Sequence, residues 1–382
     1  MIIYCFLNST MRILFVSSFK GFQEAPVNGD AQRTRLLYEA CARIADVDEV
    51  AFDGLFQSRF PNGKLKKWTV LLPWSKPTDW FLVDSHMEAV IDDAVINGKY
   101  DYIVARYFIR AIPCGLWKYR DKLVVDFDDA LPFFFLNQLS PSSAATTRFR
   151  LKLTAWRAKA IARNAVRGMH AAFFAEEAEA KTNHGTFLPN IPYYTESCPD
   201  ADMSAPVKRI LFVGQLEYQP NKEGLDRFLE KVYLPLIIRL PNVEMHVVGL
   251  IKNETLRKRW QSYPGVIVTG FVDDLKREYE QSHVVVVPIY KCGATNIKLL
   301  EAMAMNRACV STKEACSKIN EHFENGKDLY AAADDKEFVE MLFALLTDEK
   351  ENLRIAHNGK AVMDCYYSFD SFCEIVKNAI EK

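Results

Sequence analysis

Lys298 and Glu301 stand three residues apart in PIYKCGATNIKLLEAMAMNRACVST (288–312), just after a small loop, Cys292-Gly293-Ala294-Thr295. The apolar run HVVVVP (283–288) predicts a buried strand before the loop, and the pattern after it predicts a helix from near Thr295. Strand, glycine-bearing loop and helix N-terminus form an anion site, because backbone N–H groups and the positive end of the helix dipole face the ligand. Lys298 adds a full charge. Glu301, on the same helical face, offers two carboxylate oxygens to paired hydroxyls such as those of a ribose. Together these types suit a nucleotide diphosphate. The same spacing also fits a loop before an ordinary amphipathic helix with both charges in solvent.

Asp126-Phe127-Asp128-Asp129 offers hard oxygen ligands of the kind magnesium or manganese takes. The run ends an apolar strand, where capping of the next turn explains it more simply, so no metal is expected. His170, His184, His246 and His283 are isolated and read as surface or core residues. Cys292 lies beside the loop with nothing to mark it as a nucleophile. Trp74, Trp80 and Phe133-Phe134-Phe135 suit either an acceptor cleft or an aromatic core.

Arg148 to His170 contains seven Arg or Lys and no acid. On a helix Arg148, Lys152, Lys159, Arg163 and Arg167 fall within an arc of roughly 100°. Such a face suits anionic headgroups or a lipid-linked pyrophosphate, and hence a peripheral membrane contact. Phe149, Leu151, Trp156 and Ile161 do not gather on one opposite face, so a solvated basic helix fits equally.

Short apolar strands alternating with helical patterns position these residues, and imply βαβ units with parallel sheets. The strands expected first are Arg12–Ser17, Glu49–Asp53, Thr69–Leu72, Tyr102–Ala105, Leu123–Phe127 and Ala171–Ala175. Ala31–Ala45 reads as the first crossover helix, with Asp30 as its N-cap. PNIPYYTESCPDADMSAP (189–206) reads as a linker. The alternation restarts with Arg209–Gly214, a helix over Gly224–Leu240, then Glu244–Gly249, Val266–Gly270, Val284–Pro288 and Ala308–Thr312. Both halves open alike, RILFVSS against RILFVGQ. The pattern implies two doubly wound Rossmann-like α/β domains around a cleft, at 1–200 and 201–364, ahead of a final segment at 365–382. Ligands in such sheets bind beyond the carboxyl ends of the strands.

The 382 residues carry a net charge of −1 and 12% aromatics, which gives no basis for nucleic-acid binding. Nine cysteines without CxxC pairs or zinc spacing read as reduced thiols of a cytoplasmic protein. No apolar run approaches the ~18 residues that span a bilayer. Residues 1–10 precede a second methionine and read as an extension or loose strand.

With these motifs in order, the chain resembles the retaining GT-B glycosyltransferases, family 4 in particular. The likeness rests on APVNGDAQRTRLLYEACARIA, ILFVGQLEYQPNKEGLDRFLEKVYLPLI, VIVTGFVDDLKREYEQSHVVVVPIYKCGATNIKLLEAMAMNRACVST and the closing YYSFDSFCEIVKNAIEK. It implies transfer of a sugar from a UDP- or GDP-linked donor to a saccharide or lipid-linked acceptor, with no cofactor, and a closing segment, 365–382, that crosses back to the first domain. By position, Gly293, Ala294, Thr295 and Asn296 fall at the diphosphate. Lys298 bears on the phosphates and Glu301 on the ribose. Gly214 and Lys222 lie in the loop with a basic contact to the diphosphate, and Val272, after Phe271, lies on the strip that reads the base. In the first domain, Asn28-Gly29-Asp30 corresponds to the loop facing the donor, and Arg33 follows it on the first helix. Asp128 and Asp129 fall where many relatives carry a His-Asp pair near the reacting sugar.

Departures from the family pattern bear on chemistry more than on fold. Gly293 replaces the earlier of two glutamates, and Asn296 replaces an arginine. Asn306-Arg307-Ala308 replaces a Gly-x-Pro, Asn28-Gly29 a double glycine, and Asp128 a histidine. A nucleotide-sugar epimerase or a non-catalytic binding subunit on the same fold are the alternatives. The sugar, linkage, acceptor and oligomeric state are not legible.

Overall fold

The computed structural model describes residues 11–17, 29–52, 83–128, 144–192, 196–290, 296–317, 319 and 322–382. Outside them lie the expected strand Thr69–Leu72, residues 1–10, Asn28, Trp74, Trp80, Asp129, Phe133-Phe134-Phe135, Cys292, Gly293, Ala294 and Thr295. The chain divides into two compact units, Met1–Asn190 with Phe369–Lys382, and Ile191–Ser368. The changes of unit thus fall at Asn190–Ile191 and Ser368–Phe369.

The first unit holds a six-stranded parallel sheet of β1 (Arg12–Ser17), β2 (Asp46–Ala51), β3 (Tyr102–Arg106), β4 (Leu123–Asp128), β5 (Ala171–Phe174) and β6 (Thr186–Phe187). The order is β2-β1-β3-β4-β5-β6. Ile13–Val16 and Leu123–Phe127 are buried throughout, as expected of parallel strands covered on both faces. Helix α1 (Gly29–Ile44) buries Leu36, Leu37, Ala40 and Cys41, a stripe at helical spacing. It starts two residues earlier than expected, so Asp30 lies inside the first turn and is not the N-cap, its backbone oxygen accepting from Thr34 Oγ1 at 2.7 Å. Strand β2 likewise starts at Asp46, before the expected Glu49. Helix α2 (Ala145–Val166) follows β4.

The second unit holds β7 (Lys208–Val213), β8 (Val243–Val248), β9 (Val266–Gly270), β10 (Val284–Val287), β11 (Ala308–Thr312) and β12 (Tyr330–Ala332). Their order, β12-β11-β10-β7-β8-β9, is doubly wound, and reverses direction between β7 and β10. A crevice opens at such a reversal, outside the carboxyl ends of the two strands. Helix α3 (Gln219–Phe228) follows β7, and α4 (Ile297–Ala304) follows β10. The helical run beyond α3 continues through a π-turn, Leu229–Tyr233, to Leu234–Arg239. Pro235 has no N–H to donate, which favours a change of pitch there. The run therefore begins before the expected Gly224, with Pro220 in the first turn where a missing N–H is harmless.

Helix α5 (Phe369–Ile380) returns to the first unit and packs on α1. Arg43 donates to Asp370 Oδ1 at 2.6 Å and lies over the Phe369 ring. Phe372, Val376 and Ile380 are buried, together contributing about 5 kcal/mol of apolar burial. His170 Nε2 bonds the Ile380 oxygen at 2.7 Å, which gives that histidine a structural role.

Candidate functional site

At the carboxyl end of β7 the chain passes through Gly214, and Lys298 of α4 lies over it. Lys298 Nζ donates to Asn221 Oδ1 at 3.0 Å, and Asn221 Nδ2 donates to the Gln215 oxygen at 2.7 Å. A Cβ at Gly214 would stand 2.6 Å from Lys298 Cε, so glycine leaves the room the lysine occupies. Helix α3 presses on the end of β10: a Cβ at Gly224 would stand 2.0 Å from the Pro288 oxygen. Asn296 holds the N-cap position of α4 but makes no side-chain cap, its Nδ2 donating instead to the Ala315 oxygen at 3.0 Å. The first N–H groups of α4 therefore lack a side-chain acceptor from Asn296.

Glu301, one turn on from Lys298, is buried, with Tyr279 Oη donating to Oε2 at 3.4 Å. Burial lifts its carboxyl to about 7, against the opposing pull of Lys298 and Tyr279. Lys222 is half-buried on α3, and Val272 is half-buried after β9. The Asn306-Arg307 departure leaves the backbone intact. Asn306 takes φ 55°, a left-handed conformation asparagine tolerates in place of glycine. Asn306 and Arg307 then donate their N–H groups to the Met303 and Ala302 oxygens and close α4.

The first unit gathers a second cluster at the carboxyl ends of β3 and β4. Asp126 is fully buried: Oδ2 accepts from Arg33 Nε at 2.8 Å and Arg106 Nη1 at 2.9 Å, and Oδ1 from Arg33 Nη2 at 2.9 Å. Arg33 also donates to the Leu188 and Pro189 oxygens and to Asn190 Oδ1. Its five N–H groups are then all engaged, so Arg33, expected to contact substrate, acts here as a structural tie. Arg106 reaches Thr34 Oγ1, Tyr107 Oη and Asp128 Oδ2.

Asp128 keeps a partly open side, its side chain 13% exposed. Burial works to raise its pKa, but Arg106 and Arg33 outweigh it and hold the carboxyl below the usual range. Asp128 (φ 58°) and Tyr107 (φ 67°) both take positive φ, which costs of order 1–3 kcal/mol each at non-glycine residues. Burial, with Asp128 and Asp30 nearby, keeps the Tyr107 phenol protonated well above its ordinary range. Gly29 stands exposed at the start of α1, with open space where a Cβ would go. An ionised, partly open Asp128 can accept a hydrogen bond from a ligand hydroxyl. Both Asp126 and Asp128 are held by arginines, and no cluster of metal-ligating side chains occurs among the described residues.

Sequence reasoning missed Asn221, Tyr279, Arg106 and Tyr107. Arg106 had a signal, a cation closing the apolar run YIVAR, since a buried charge requires a partner. His283, read as structural, is so: Nδ1 accepts from Arg209 N at 2.9 Å and Nε2 lies 2.9 Å from the Asp202 oxygen.

Residues 207–348 match the family described as Glycosyl transferases group 1. An "Uncharacterized 44.6 kDa protein in cps region" of Klebsiella pneumoniae is 26% identical over 176 residues, 44% of this chain. The match spans 45% of that relative's length. Among solved structures, sucrose-phosphate synthase from Thermosynechococcus elongatus is 13% identical with a TM-score of 0.64, covering 97% of this chain and 98% of that one. HepE from Anabaena, solved with UDP-glucose, is 16% identical with a TM-score of 0.61, covering 97% and 99%. TarM from S. aureus is 12% identical with a TM-score of 0.57; the likeness covers 77% of this chain and 58% of that one. These structures share the two-domain GT-B fold with this chain. No helix among the described residues is long and apolar enough to cross a membrane.

Proposed function

We propose that this chain is a group 1 glycosyltransferase, which with its GT-B fold moves a sugar with retention from a nucleotide-diphosphate donor to a hydroxyl acceptor. The observation that carries the reading is Lys298, held over Gly214 at the switch point of the second sheet. As the glycosidic bond breaks, negative charge grows on the departing diphosphate. Cations and amides already aimed there stabilise that transition state more than the ground state. Lys298, Lys222 and the first amides of α4 would supply this, with Gly293, Ala294, Thr295 and Asn296 leading into the helix. Glu301 would read the ribose and Val272 the base.

HepE is solved with UDP-glucose and with UDP, which makes UDP the first nucleotide to try, ahead of GDP. Asp128, with Asp129, Gly29 and Asp30, would meet the reacting sugar or the acceptor. The acceptor would be a saccharide or lipid-linked glycan of cell-surface polysaccharide or glycolipid assembly, met on the cytoplasmic side with α2 in peripheral membrane contact. No cofactor is invoked. Calorimetric titration of UDP and GDP into the native chain and Lys298→Ala tests the donor site. The reading predicts binding of one nucleotide and its loss in the variant. Absence of binding by either nucleotide would remove it.

A further inference from the structure

We propose that the solvent face of α2 docks on an anionic lipid bilayer, with Phe149 and Trp156 entering the headgroup region amid its cations. The proposal deepens the peripheral contact proposed above and shares its premise that the acceptor is reached at a membrane. Packing sorts the apolar residues of α2 into two sets. Leu151, Ala155, Ile161, Ala162, Ala165 and Val166 are buried in the first unit. Phe149 and Trp156 are turned outward, 71% and 70% exposed.

Arg148, Lys152, Lys159 and Arg167 are exposed too, and Arg163 half-buried. With the two aromatics they fall inside an arc of about 100°. The helix contains no acid. On the neighbouring helix Glu177–Asn183, Glu177 pairs with Lys181, and Glu179 accepts from Asn183. Lys152, Lys159 and Arg167 make no ion pair among the described residues. The chain as a whole is near neutral, at −1, so this concentration of positive charge is local to one face.

Charge selects an anionic partner, and the two rings select a lipid. Phe149 and Trp156 are two turns apart, about 10 Å along the axis, and too far apart to cover each other. Tryptophan favours the bilayer interface, where the ring is half wetted, and lysine stems lie along apolar surface while their ammonium groups reach phosphates. An acidic partner without an apolar layer would use the cations and leave the rings in water.

The test is co-sedimentation of the full chain with vesicles of phosphatidylcholine, with and without phosphatidylglycerol, at low and raised salt. Binding is expected only with phosphatidylglycerol, and salt should weaken it. Lys152→Gln with Lys159→Gln should reduce partitioning about 25-fold, at about fivefold per cation. Phe149→Ser with Trp156→Ser should reduce it about tenfold. On the parent chain, a brominated-acyl phosphatidylglycerol should quench emission that Trp156→Phe lacks.

Equal binding to both vesicles, or none with phosphatidylglycerol at low salt, overturns the proposal. So does an aromatic variant that binds like the parent, or no difference in bromine quenching; either would make the face a general polyanion site. UDP titration of the same variants separates this face from the donor site. Nucleotide affinity unchanged by the α2 substitutions is expected, and lost UDP binding in a vesicle-competent parent would count against the donor site alone.

Discussion

Lys298 lies across Gly214 and ends on Asn221: Nζ to Oδ1 is 3.0 Å, and a Cβ at Gly214 would sit 2.6 Å from Lys298 Cε. The atom displaced by Gly214→Ala would be near the end of a flexible side chain. Stability should change by no more than about 1 kcal/mol, while the lysine leaves its hydrogen bond. A charged contact to a phosphate is then lost, and UDP affinity should fall about tenfold. Calorimetry paired with a thermal melt checks this. Normal affinity in a normally folded Gly214→Ala would separate the lysine's placement from donor binding.

Gly224→Ala should behave in the opposite way. Within a helix, alanine ordinarily gains about 1 kcal/mol over glycine. Here the methyl would stand 2.0 Å from the backbone oxygen of Pro288, which cannot swing aside. Helix α3 must move off the end of β10, so the expected loss is about 2 kcal/mol or more by urea denaturation. Asn221 and Lys222 ride on α3 and move with it, so UDP binding should weaken in the same variant.

The strands and the switch-point residues were legible because they are local. Apolar runs mark β1, β7 and β10, and Lys298 and Glu301 are one turn apart on a single helix. The first unit's charge cluster was not. Asp126 stands out in the sequence as an acid inside VVDFD, but Arg33 lies 93 residues before it and Arg106 20 before it. Periodicity shows that a buried acid needs partners without naming them. The outward turn of Phe149 and Trp156 was hidden likewise, since only packing distinguishes them from Leu151 and Ile161. Asp30 was misplaced by one helical start, because capping residues are also accepted inside a first turn.

Glu301 should make stability depend on pH. Its carboxyl is raised from 4.5 to about 7 in the folded chain, so the folded state holds the proton more tightly than the unfolded one. The stabilisation is complete below about pH 4.5, declines as pH rises toward 7, and is gone above that. The shift corresponds to about 3 kcal/mol. Glu301→Gln keeps a neutral group at every pH, so its advantage over the native chain should grow from pH 5 to pH 8. Denaturant midpoints of both proteins at the two pH values measure this. Parallel pH profiles would show that Glu301 is ionised or solvated in the folded state.

Asp126 and Asp128 are two residues apart, yet substitutions should separate structure from chemistry. Asp126→Ala removes the carboxylate that both Arg33 and Arg106 grip, leaving two buried guanidinium groups short of their counter-charge. Stranding charge in this way costs about 3–5 kcal/mol, and soluble yield and melting temperature should both fall. Asp128→Asn keeps the shape and an oxygen for Arg106, and asparagine tolerates the left-handed backbone at φ 58°. Its stability should therefore stay within about 1–2 kcal/mol of the native chain. The negative charge beside the open side of the cluster is gone, however, so sugar transfer should drop while UDP affinity holds, because the diphosphate contacts are assigned to Lys298 and α4. The discriminating measurement is turnover and UDP binding on the same folded Asp128→Asn preparation. Turnover at the native level would leave Asp128 as one more member of the structural cluster that Asp126 anchors.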